Sequence, residues 1–202
     1  MSMHVDFFAG AAMRPHLPAL ARLRIAVFRE WPYLYDGELN EEQVYLSDLA
    51  RSPRGGMAVA FDGDEPVGCS TCLPLADTEA AVQAPFRAAG LDPARYFYFG
   101  ESVLLPAWRG RGLGVEFFRR REEHARRSSD AGFACFCAVE RPAGHPLRPA
   151  GAVPLNGFWQ RRGYAHHPDL ACTMRWKQVD SADKVANRLS FWIKPLGPRD
   201  GT

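Results

Sequence analysis

The chain has 202 residues, 47% of them apolar, with 25 Lys and Arg against 23 Asp and Glu, for a net charge of +2. That length fits one domain with a sizeable core, and so small a charge excludes nucleic acid or an anionic membrane as an electrostatic partner. No run of about 18 apolar residues occurs, and the chain opens without a basic segment followed by an apolar one, so the reading is a cytoplasmic protein with no membrane span.

Taken in order, Met3 to Phe8 predicts a first strand. Pro15 and Pro18 mark the entry to a helix that carries Leu20, Leu23, Val27 and Phe28 at helical spacing and stops near Trp31-Pro32. An aromatic, turn-rich stretch follows to Gly37, and Asn40 with Gln43 three residues on resembles a capping box opening a second helix to about Arg51. Gly56 to Phe61 and Pro66 to Leu75 flank Asp62-Gly-Asp-Glu65, which predicts a hairpin. Residues 78 to 90 predict an inserted helix closed by Gly90. Five cysteines are an odd number. Cys69-Ser-Thr-Cys72 has no second pair at zinc spacing, and Cys135 and Cys137 recur at period 2, so all are read as buried free thiols and no metal site is expected.

The most informative stretch runs from Tyr96 to Arg120. Tyr96 to Leu105 is aromatic and aliphatic, a mostly buried strand that Pro106 ends. Arg109-Gly110-Arg111-Gly112-Leu113-Gly114 is a glycine-rich turn, and residues 115 to 128 lack Pro and Gly, as a helix would. Strand, turn and helix N-terminus together make an anion site: glycines let backbone approach a ligand, the first-turn N–H groups point at it, and two arginines add charge. The order of glycines does not fit a dinucleotide-binding fingerprint, and no Gly-Lys-Ser/Thr of a P-loop is present. Phe118, Phe117, Leu113 and Ala125 share one helical arc; Arg119–Glu123, Glu122–Arg126 and Glu123–Arg127 pair along the other face, which reads as solvated. Arg121 falls within the apolar arc, where a snorkelling stem is expected.

A second apolar strand spans residues 132 to 139, which suggests a βαβ unit. Four prolines and two glycines make residues 141 to 154 an irregular loop. Residues 155 to 164 predict a short helix ended by Gly163, and two final strands lie at 170 to 179 and 189 to 196.

Arg109, Gly112 and Gly114 match Arg/Gln-x-x-Gly-x-Gly/Ala, the pattern that follows a strand and opens a helix in the GNAT superfamily of N-acyltransferases. Phe158, Trp159, Gly163 and Tyr164 resemble the Phe-Tyr-x-x-x-Gly-Phe segment near the end of such proteins. The resemblance covers roughly residues 3 to 196 and is specific only between 103 and 114, with weaker support at 156 to 164. It implies an α/β fold: a mixed, mainly antiparallel sheet of six to seven strands, splayed at the centre and flanked by about four helices, in one domain.

It further implies acetyl-CoA as cofactor, held by Val103, Leu104 and Leu105, by the turn from Arg109 through Gly110, Arg111, Gly112, Leu113 and Gly114 to Val115, and by Asn156 and Trp159. In the same resemblance, the loop between the first two helices walls the acceptor site, so Tyr33 and Tyr35 are candidates for substrate contact or simply covers for helix ends. The acceptor would be a small-molecule, peptide or protein amine, and the protein a monomer or homodimer.

Many members carry a tyrosine as general acid where this chain has Trp159, whose indole N–H is a poor proton donor; Asn156, Tyr164 or a water could substitute. An amine must be neutral to attack a thioester, so a carboxylate or His takes its proton. Glu101 is the first candidate base, followed by Glu140 and His145; each also has a plain structural reading, the carboxylates as partners of arginines and His145 as an exposed loop residue. Two other classes stand beside this reading. One is an acyl-CoA-binding sensor that has lost the chemistry, for which Trp159 speaks. The other, a serine hydrolase built on Ser102, fails because the nucleophile elbow needs glycine where Leu104 stands.

Overall fold

The structure, a computed structural model, describes residues 3–197. These form one seven-stranded sheet: β1 (Met3–Ala9), β2 (Gly56–Asp62), β3 (Glu65–Pro74), β4 (Tyr96–Leu104), β5 (Phe133–Val139), β6 (Ala165–Lys177) and β7 (Lys184–Pro195). The order across the sheet is β1-β2-β3-β4-β5-β7-β6. Only β4 and β5 run parallel; the other neighbours are antiparallel.

Among the described residues five α-helices flank the sheet, one more than expected: α1 (Leu17–Phe28), α2 (Leu39–Leu49), α3 (Ala80–Ala88), α4 (Leu113–Ser128) and α5 (Asn156–Gln160). None is long and apolar enough to cross a membrane. The sheet separates two apolar layers. Leu20 and Leu23 of α1, Leu46 of α2 and Val82 and Phe86 of α3 pack with Cys69, Tyr98 and Val103 on the first face. On the second face Phe118 of α4 meets Phe97, Phe99, Phe136 and Tyr164, while Leu113 and Phe117 cover Ala58, Ala60 and Val67.

Three local expectations change. The α2 ladder starts with the Glu42 N–H on the Glu38 carbonyl, so Asn40 lies inside the first turn and cannot cap it. An irregularity between His167 and Ala171 lets β6 begin at Ala165, not Leu170. Arg121 does not snorkel: the residue is 1% exposed, its guanidinium lying over the Phe99 and Phe118 rings instead of reaching solvent. Cys69 and Cys72, three apart on a strand, pack on opposite faces and share no ligand position.

Two irregularities shape the centre. The β4–β5 ladder consists of Tyr96–Phe133, Phe97–Ala134 and Tyr98–Cys135. Beyond it β4 follows β3 as far as Leu104, and β5 follows β7 as far as Val139, so a wedge opens between them. The second is a bulge: Cys72 pairs with Phe99 but Ser70 with Ser102, which sets Gly100 and Glu101 against Thr71 alone. A β-carbon at position 100 would lie 2.5 Å from the Thr71 hydroxyl, so this crowded spot needs glycine.

Candidate active site

At the C-terminal end of β4 the chain turns through Gly110 and Gly112, at φ +76° and +83°, into α4. Such left-handed backbone strongly favours glycine, and beside both residues the space is open. Val115 is the first residue whose N–H bonds back within α4, to the Gly112 carbonyl, so the N–H groups of Leu113 and Gly114 lie ahead of it at the helix tip. Gly114 has a different constraint: a β-carbon there would press to 3.2 Å from the Phe158 ring of α5. Open space beside two glycines and free N–H groups at a helix start suit a pyrophosphate. Leu113 itself is core, whereas Val115 is exposed. Arg111 is exposed at the turn.

Arg109 is placed differently from a freely projecting phosphate ligand. Its Nε donates to the Leu104 carbonyl at 3.0 Å and its Nη2 lies 2.9 Å from Glu30, at the end of α1. Leu105 donates its N–H to Val67 on β3 at 3.0 Å. By strand alternation the Leu104 N–H and carbonyl therefore face the wedge, while the Leu105 N–H is already used. Val103 is fully buried on the first face.

The bulge decides where Glu101 points. Strict alternation from Phe97 and Phe99 would aim it at α4; the extra residue turns it to the first face, as it does Val103. There Glu101 Oε2 accepts from Arg24 Nη1 of α1 at 2.5 Å and from the Tyr45 hydroxyl of α2 at 3.2 Å. Arg24 also donates its Nε to Glu42 at 2.5 Å, and its guanidinium lies over the Tyr45 ring, 4.4 Å from the centroid. The Glu101 side chain is only 1% exposed, and its second oxygen, Oε1, is buried without a hydrogen-bond partner. Burial alone would lower the Arg24 pKa, but Glu101, Tyr45 and Glu42 raise it above the ordinary arginine value. Burial likewise raises the Tyr45 pKa, with Glu101 next.

Tyr35 joins this cluster through its hydroxyl, whose pKa is raised by burial and then by Glu42, to which it bonds. Its backbone bridges to Gln178 beside β6. Tyr33 is mainly a brace: its carbonyl accepts from Trp176 Nε1 at 3.0 Å and Arg141 Nη2 at 2.9 Å, and its ring packs on Phe28.

The other expected residues lie apart from Glu101. Glu140 is bound to Arg188 at the surface; burial opposes ionisation, but bonds from Ser190 and Arg188 hold its carboxyl below the usual range. His145 sits in the 141–154 loop, edge-on to Trp31. Tyr164 is 2% exposed on the second face, and its hydroxyl donates to Glu122 Oε1 at 3.1 Å. Lys194 Nζ holds both oxygens of that carboxylate, at 2.9 and 2.8 Å. Burial, then Glu122, pushes the Tyr164 pKa well up. Trp159, half-buried, packs on Phe136 and Trp192, and Asn156 is exposed at the start of α5.

Arg24, Glu42 and Tyr45 were not found by sequence reasoning. The signal for Arg24 was a charge four residues after Leu20 and three before Val27, on the apolar stripe of α1.

A sequence model of the acetyltransferase (GNAT) family matches residues 20–149. No curated protein matches the chain. Among solved structures, an N-acetyltransferase from Staphylococcus aureus Mu50 superposes with a TM-score of 0.59 at 12% identity, over 98% of this chain and 100% of that one. A ribosomal-protein-alanine N-acetyltransferase from Brucella melitensis gives 0.58 at 14% identity, over 96% and 99%. The protein yncA from Salmonella typhimurium, solved with its cofactor acetyl-CoA, gives 0.58 at 13% identity, over 100% and 98%. At these identities the likeness is one of fold.

Proposed function

Because the chain belongs to the GNAT acetyltransferase family, we propose that it moves an acetyl group from acetyl-CoA to a primary amine by direct attack: Glu101 takes the amine's proton as the C–N bond forms, and the C–S bond breaks to release CoA as its thiolate. The observation that carries the role of Glu101 is its carboxylate: one oxygen anchored by Arg24 and Tyr45, the other buried without a partner beside the β4–β5 wedge. A buried acceptor atom left unpaired is costly unless something fills its lone pairs. An incoming amine, or a water relaying its proton, supplies that donor.

The two faces divide the work. Gly110, Gly112 and the N–H groups of Leu113 and Gly114 hold the pyrophosphate at the α4 side. The Leu104 N–H, aimed into the wedge, is the donor for the carbonyl that receives the attack. Bound acetyl-CoA supplies the activated thioester. Glu101 works from the opposite face, where α1 and α2 bring Arg24, Glu42, Tyr45 and Tyr35, so the acceptor enters from the α1–α2 side. Tyr164 has no part in proton delivery on this reading, since its hydroxyl is bonded to Glu122.

The test is calorimetric titration with acetyl-CoA, CoA and NADPH, followed by turnover with benzylamine, tyramine, spermidine and a lysine-containing peptide. Micromolar binding of acetyl-CoA but not NADPH, with amine turnover that Glu101→Gln lowers about a hundredfold or more, supports the reading. No turnover with any amine despite binding would favour the second one, an acyl-CoA-binding sensor, for which Trp159 in place of a tyrosine speaks.

A further inference from the structure

On the other side of the bulge from Glu101 lies a charge that the reaction as described does not use. Arg121 of α4 is 1% exposed, and among the described residues no ion pair joins it to a carboxylate. Its guanidinium lies 4.5 Å from the centroid of Phe99 and 4.8 Å from that of Phe118. Nε donates to the Phe117 carbonyl of its own helix at 3.2 Å, and Nη1 reaches the Thr71 carbonyl at 3.4 Å. Among the described residues no carboxylate lies within ion-pair distance; Glu101 and Glu122 act on the guanidinium only from farther off and burial outweighs them, so an apolar side chain would fill this layer with less penalty.

The two residues it touches on the sheet explain its presence. Thr71 is the β3 residue that faces two β4 residues at once, and Phe99 is the last β4 residue in regular register before the extra one. At a bulge the ladder is interrupted and backbone groups lose their partners. Arg121 supplies a donor to the Thr71 carbonyl and a flat cation under the Phe99 ring, the two sides of the interruption.

We propose that Arg121 is a positioning residue for the transfer reaction: it clamps the one-residue bulge in β4 and thereby keeps Glu101 turned toward Arg24 and the acceptor face. The inference rests on the reading of Glu101 as the base. Without the clamp, the regular pairing gains ladder bonds, and a slip of one residue rotates Glu101 toward α4.

A crystal structure of Arg121→Met tests the clamp directly. The expected result is a β3–β4 ladder without the bulge at Gly100–Glu101 and a broken Arg24–Glu101 pair. Kinetics with the best acceptor among the four amines above should show kcat lowered as far as in Glu101→Gln, with KM for acetyl-CoA within twofold. The double variant should lose nothing further. Arg121→Lys, which keeps a donor for Thr71, should recover part of the activity and stands in if the methionine variant does not fold. A retained bulge in the variant, or losses that multiply in the double variant, would overturn the proposal. A Glu101→Gln protein with full kcat, beside an Arg121→Met structure that has lost its bulge, would instead overturn the role of Glu101 and leave the clamp standing.

Discussion

The guanidinium of Arg24 and the carboxylate of Glu101 meet at 2.5 Å, joining residues 77 positions apart. Glu101 is buried and Arg24 mostly so, and the same guanidinium holds Glu42. One cation thus serves two carboxylates between α1, α2 and β4.

Removing that cation is therefore expected to destabilise the fold strongly. Arg24→Leu leaves Glu42 and Glu101 buried without compensation, at a cost of about 3–5 kcal/mol. Urea unfolding at neutral pH should show a lower midpoint with an unchanged slope.

Gly112→Asp sets a carboxylate where the pyrophosphate would sit. The position has φ +83°, which Asp tolerates better than most residues, and open space around it. Binding of CoA should disappear in calorimetry while the far-UV circular dichroism spectrum stays like the parent's and the melting temperature falls by only a few degrees, the cost of a side chain in left-handed backbone. Parent-like CoA affinity would move the cofactor site elsewhere.

Tyr164→Phe separates a structural hydroxyl from a catalytic one. Its partner Glu122 keeps both bonds from Lys194. Loss of one buried bond to a charged group should cost about 1.5–3 kcal/mol, with kcat within twofold of the parent. A hundredfold fall in kcat would restore Tyr164 as the proton donor.

Glu116, in the first turn of α4, gives a pH signature. The hydrogen bond from Arg119 leads in lowering its pKa from 4.5 to about 2, against burial, which raises it. Its folded pKa lies below the unfolded one, so its stabilisation is full above about pH 4.5 and is lost as pH falls toward 2. Glu116→Gln should therefore cost about 1 kcal/mol near pH 7. Parent and variant unfolding curves should converge between pH 4.5 and pH 2.

The amino-acid sequence alone determined the order of strands and helices, the glycine turn between β4 and α4, and the family that this turn resembles. Those features are local: apolar periods of two and of about 3.6, and glycines where the backbone turns left-handed. Only the tertiary structure decided which face Glu101 occupies. A period-2 pattern does not reveal which residue of Phe99-Gly-Glu-Ser102 is the extra one, and a single extra residue reverses every side chain beyond it. The partners followed from that reversal. Arg24, Glu42 and Tyr45 come from helices distant in sequence, and Tyr164 is drawn to Glu122 across the second face. Arg121 stood out as a charge on an apolar stripe, and Arg24, overlooked, holds the same kind of position on α1. What each of them holds became visible only once the sheet had been bent around them.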